Sequence, residues 1–117
     1  MSDNSVQTQG DVHMRVTEVT LSAIPEDNVN HPHFSIQVAW RGPGDVYAVK
    51  RHSQVLGADG TWDYEPRPSS RTDEWIATHR FPYEQAVALA AAAVQFLTVN
   101  GFTVADVLAR APRPAED

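Results

Sequence analysis

The chain has 117 residues, enough for one domain with one core, and its net charge of −6 argues against a surface that neutralises a phosphate backbone wholesale. An apolar fraction of 42% supports a compact core. The longest apolar run, Ala86 to Val99, is broken by Gln95 and Thr98 and falls short of the roughly 20 residues a bilayer span needs, so no membrane partner is expected.

Cysteine is absent, which excludes disulfides and thiolate metal sites and suits a reducing, cytoplasmic setting. The opening MSDNSVQTQGD has neither a basic start nor an apolar core, so it does not read as a secretory signal. Every basic residue except Lys50 is arginine, a bias expected of a gene of high GC content.

Residues 1–10 and 111–117 read as polar flexible tails around one domain, 11–110. Asp11 to Leu21 alternates as a strand. Val12, Met14 and Val16 share one face, but Val19 and Leu21 take the other phase, which predicts a bulge or twist near Thr17. Phe34 to Trp40 is the clearest strand, with Phe34, Ile36, Val38 and Trp40 on one side. Gly42-Pro43-Gly44-Asp45 turns the chain, and Val46 to Leu56 reads as a single third strand. Asp59-Gly60 marks a hairpin turn into a short strand, Trp62 to Glu65, which Pro66 and Pro68 end. Trp75 to Phe81 reads as a fifth strand, with Trp75, Ala77, His79 and Phe81 on one side and Trp75 in the core.

After Pro82 the period changes to that of a helix, with Ala86, Leu89, Ala90, Ala93 and Leu97 on one face. Asn100-Gly101 is read as its stop. A short second helix follows, with Thr103 as N-cap, Asp106 three residues on and Phe102 stapled to Val107. The expected architecture is α+β: an antiparallel meander of four or five strands, covered on one face by the alanine-rich helix and bare on the other.

Between Gly57 and Phe81 the aromatics Trp62, Tyr64 and Trp75 alternate with acids and with Arg67, Arg71 and Arg80. Tryptophan, tyrosine and arginine carry much of the binding energy at protein interfaces. These six are therefore the candidate binding residues, weighed against a structural role in which Arg67 and Arg71 pair with Asp73 and Glu74. Phase analysis narrows the surface to the crossover from Glu65 to Asp73. A second reading gathers Arg41, Lys50, Arg51, Arg67, Arg71 and Arg80 on the open sheet face for single-stranded nucleic acid.

Chemistry-bearing motifs are sparse. His31-Pro32-His33 lacks the further ligands and spacing of a zinc site, and Asp59, Asp63 and Glu65 lack the length of a calcium loop, so no metal is expected. Ser53, Ser69 and Ser70 sit in no nucleophile elbow, and no glycine-rich phosphate loop opens a helix, so no cofactor is expected. His52 or His79 against a carboxylate is the form a small enzyme would take.

The run GADGTWDYEPRPSSRTDEWIATHRF, the alanine-rich helix and TVNGFTVADVLA resemble a family of small orphan proteins of actinobacteriophages, mycobacteriophages in particular, and their prophages. The likeness covers about Phe34 to Ala109 and is most specific in WDYEP-x-PSSR-x-DEW. That family has no assigned activity, cofactor or catalytic residue. The resemblance implies an origin, a phage product made in the cytoplasm of an infected or lysogenic cell, and assigns no site. The expectation is a non-enzymatic accessory protein that binds a host or phage protein. Nothing in the sequence sets its oligomeric state.

Overall fold

The computed structural model describes residues 11–110; the expected tails lie outside them. Five antiparallel strands pair in chain order: β1 (Glu18–Ser22), β2 (Ser35–Trp40), β3 (Tyr47–Arg51), β4 (Gln54–Leu56) and β5 (Trp62–Tyr64). Helix α1 (Asp73–His79) follows, then α2 (Tyr83–Val94), a small hairpin of β6 (Thr98–Val99) and β7 (Phe102–Thr103), and α3 (Val104–Arg110). The class is α+β, as the sequence predicts.

Register assigns the two faces of the sheet. Val19 pairs with Val38, Val38 with Val49, Trp40 with Tyr47 and Leu56 with Trp62, so these side chains share one face. Helix α2 packs on β1, β2 and β3 at that face. It buries Ala86, Ala90 and Val94 at helical spacing, while Leu89 and Ala93 stay half-buried. Alanine lets the helix come close to the sheet, and Ile36, Val38 and Val49 beneath it have no exposed surface. Fully burying one such side chain contributes about 1.5–3 kcal/mol.

The fold departs from the sequence reading in four places. The third strand is two strands: Arg51 pairs with Gln54, and His52 turns the chain at φ 58°. A non-glycine residue at positive φ is uncommon, though histidine is, with Asn and Asp, among the residues enriched there. Asn100-Gly101 does not stop the helix, which ends at Val94. It forms the β6–β7 turn, with φ 52° and 84° matching the two positive φ values of a type I′ hairpin.

The first strand begins only at Glu18. Val12 and Met14 are 94% and 96% exposed, and Val16 is also exposed. Thr17 O accepts from Trp40 N (2.8 Å), and Arg15 lies over the Trp40 ring, so the alternation runs through Thr17 unbroken. The phase change marks which side is buried, not a bulge.

The largest correction is at residues 73–81. The predicted fifth strand is helix α1, and Trp75 is not a sheet core residue. Thr72 caps the helix, its Oγ1 accepting from Trp75 N (3.0 Å), and Asp73 and Glu74 in the first turn suit the helix dipole. Trp75 and His79, four residues apart, stack on one side of the helix. From Arg80 on the chain is extended, and Phe81 and Tyr47 exchange two backbone hydrogen bonds (2.8 and 2.9 Å). The outer sheet face is consequently not bare: Ala39, Ala48 and Val55 lie on it and are buried.

At the helix edge, Tyr83 N donates to Asp45 Oδ1 (2.9 Å), so the β2–β3 turn caps α2. The short C-terminal helix has its expected capping box. Asp106 N donates to Thr103 Oγ1 (3.1 Å), and Thr103 N donates to Asp106 Oδ2 (2.9 Å).

Candidate functional site

Strand alternation past β2 and β5 turns Arg41 and Glu65 toward the outer face. The chain returning through the 3-10 turn Pro68–Ser70 and α1 brings Arg71 and Arg80 to the same carboxylate. Arg80 Nη2 donates to Glu65 Oε2 (2.7 Å), Arg71 Nη2 lies 2.9 Å from the same oxygen, and Arg41 Nη2 lies 3.9 Å from Oε1. Each guanidinium also donates to a nearby carbonyl: Arg41 to Trp40 O, Arg71 Nε to Pro66 O and Arg80 to His79 O.

The Arg80 side chain is only 8% exposed, and that of Glu65 16%. Burial holds the Arg80 guanidinium below the ordinary arginine range. The hydrogen bond and charge of Glu65 pull it back up, and Arg41 and Arg71 push it further down. Three cations thus share one anion. The cluster has a local surplus of positive charge on a chain of net charge −6.

Beside it lies a second polar group. The rings of His79 and Trp75 stack at 4.2 Å with 5° between planes, and the Arg80 guanidinium carbon lies 5.1 Å from the Trp75 ring centre. His79 Nδ1 donates to Trp75 O (2.8 Å), and Nε2 faces Asp63 Oδ2 at 2.9 Å. Thr78 Oγ1 is 2.9 Å from Nδ1, and its single proton is shared between two carbonyls of its own helix, Glu74 O and Trp75 O. A Cβ on Gly57 would sit 3.1 Å from His79 Nε2, tighter than ordinary contact, so glycine is the residue that leaves the imidazole room. Ala58 N donates to Thr78 O (2.8 Å), tying the β4–β5 turn to the end of α1.

The six predicted binding residues do not form one surface. Arg71, Trp75 and Arg80 come together on the outer face. Trp62 pairs with Leu56 on the α2 face and packs half-buried against the core. Tyr64 shares that parity and is 72% exposed. Arg67 is exposed ahead of the 3-10 turn and has no ion pair among the described residues. Arg71 pairs with Glu65, not with Asp73 or Glu74.

Three residues that complete the site, Arg41, Glu65 and Asp63, are outside the predicted six, although the open-face reading included Arg41 and the crossover reading began at Glu65. The signal that could have found them is parity: Arg41, Asp63 and Glu65 occupy outer-face positions flanking or within β2 and β5. Lys50 belongs to the outer face as well, whereas Arg51 has the opposite parity and donates to His33 O (3.1 Å). The remaining candidate motifs serve the loops. His31 Nδ1 donates to Ile24 O (2.8 Å). Asp59 Oδ1 accepts from Thr61 N and Thr61 Oγ1, bonds that hold its carboxyl below the usual range.

No helix among the described residues is long and apolar enough to cross a membrane. No family model matches the chain, and no curated protein or solved structure shows significant similarity to it.

Proposed function

We propose that this chain is a non-enzymatic accessory protein that binds another protein through its outer face, and that the bound segment is acidic. The observation behind this reading is the three-arginine cluster on Glu65. Arg41, Arg71 and Arg80 offer guanidinium donors beyond those one carboxylate accepts, next to the half-buried indole of Trp75. An incoming carboxylate would relieve the mutual repulsion of the three cations, and Trp75 would cover its apolar neighbour. Arg67, on the crossover, extends the cationic edge.

A nucleic acid fits the same face less well. Asp63, Asp73 and Glu74 flank the cluster, and a continuous phosphate backbone needs more uncompensated cations than it supplies. The likeness to phage orphan proteins adds a host or phage protein as the partner and the cytoplasm as the place.

Affinity capture from host lysate with the full chain, Arg67→Ala/Arg71→Ala and Trp75→Ala tests the reading, with melting temperature as the folding control. The expected result is a partner lost from both variants and competed by a glutamate-rich peptide. A partner that survives both variants overturns the surface. Tighter binding of a single-stranded oligonucleotide than of the peptide, with a steep salt dependence, overturns the partner class.

A second reading, a small enzyme, has the His79–Asp63 contact in its favour. It requires a reactive imidazole, yet both ring nitrogens are occupied and His79 is 7% exposed. Retention of any discovered turnover by His79→Gln would end it.

A further inference from the structure

Residues 11–16 have the alternation of a strand and make no backbone–backbone hydrogen bond among the described residues; the pairing with β2 reaches only as far as Thr17 O. Val12, Met14 and Val16 form an apolar row, with Val12 and Met14 almost fully exposed. The row continues directly into β1, an edge of the five-stranded sheet whose outer side pairs with no strand among the described residues. Exposed strand-competent segments at a sheet edge are templates for pairing with another chain.

We propose that this arm pairs antiparallel with the same arm of a second copy, giving a twofold dimer. The inference is independent of the acidic-partner reading, because it uses neither the arginine cluster nor Trp75. The sequence complements itself about Met14. In that register Val12 stands beside Val16 of the second copy, and Met14 beside Met14 of the second copy, so all three apolar residues of each arm gain an apolar cross-strand neighbour. On the other side His13 stands directly across from Arg15 of the second copy and Asp11 across from Thr17, with Asp11 diagonal to Arg15. A shift by one residue in the pairing sum sets Met14 against Arg15 and Asp11 against Glu18, apolar on charge and acid on acid. Shifts by two keep the face but pair only Val12 with Met14, or only Met14 with Val16, so it is the apolar row that favours the register about Met14.

Arm pairing alone buries less than the roughly 1,200 Å² of a standard stable interface, so the dimer is weak, with dissociation in the micromolar range or above. Sedimentation equilibrium of the full chain from about 10 μM to about 1 mM should show a reversible monomer–dimer exchange. Met14→Glu sets like charges against each other at the axis and should weaken the dimer about tenfold or more, with an unchanged melting temperature because Met14 supports no core. The chain has no cysteine, so Met14→Cys reports the axis directly. Under mild oxidant it should form a covalent dimer about tenfold faster than Val29→Cys, which is 84% exposed elsewhere. A strict monomer over the whole range, a dimer unaffected by Met14→Glu, or equal crosslinking of the two cysteine variants overturns the proposal.

Discussion

The two faces of the sheet are held by different physics. Under α2, Ile36, Val38, Tyr47 and Val49 meet Ala86 and Ala90, and cohesion comes from apolar area removed from water. On the outer face, α1 and the 65–72 crossover are tied down by Glu65, by the His79–Asp63 contact and by the Trp75 stack. One face should ignore ionic strength, and the other should answer to it. Polar ties with unequal charge leave something over for a ligand; a filled apolar layer does not.

That contrast can be broken at four points. Tyr47→Ala should cost about 3–5 kcal/mol in denaturant unfolding, the same at low and high salt, because it empties the centre of the α2 face. Glu65→Ala should cost about 2–3 kcal/mol at low salt by leaving three guanidiniums without their shared acceptor. Sulfate should restore much of that loss, by screening and by occupying the vacated place; a loss independent of salt would show that the outer face is held by packing as well. Asp45→Ala removes the acceptor at Tyr83 N and should cost about 1 kcal/mol, read as a lower thermal midpoint without change in salt response.

The smallest effect concerns acid. Hydrogen bonds from Thr103 hold the Asp106 carboxyl below 3.8 in the folded chain. A lowered folded value means the contribution is complete above 3.8 and is lost as pH falls through the folded value. Asp106→Asn should therefore lower the neutral plateau slightly and flatten the acid limb of a stability–pH curve, the two curves converging at low pH.

The same contrast explains what could be read from the residues. The α2 face announces itself through period-two and helical patterns: Ser35 to Trp40 and Ala86 to Val94 form the strand and helix that the alternation puts there. The outer face does not, because its contacts join residues far apart in the chain, Arg41 to Glu65 and Asp63 to His79, with no shared period. At residues 75–81 two periods compete. Trp75, Ala77, His79 and Phe81 satisfy a strand, yet Thr72, Asp73 and Glu74 form a helix start and Trp75 reaches His79 across one turn. Capping chemistry outweighed alternation. His52 and the unbroken parity at Thr17 show the converse limit, since backbone torsion at a polar residue leaves little trace in composition.

Strands β1 to β5 pair strictly with their neighbours in the chain. Search during folding is therefore short: each hairpin can zip onto the last, and the entropy of closing each loop grows only with the logarithm of its length. The exception is the join of Tyr47 to Phe81, which must enclose the whole 48–80 stretch before it forms. Tyr47 also edges onto the ring of Tyr83 and donates to Val16 O (2.6 Å). One residue thus ties three parts of the fold together: its backbone closes the meander on Phe81, its ring meets α2 at Tyr83, and its hydroxyl anchors the arm at Val16.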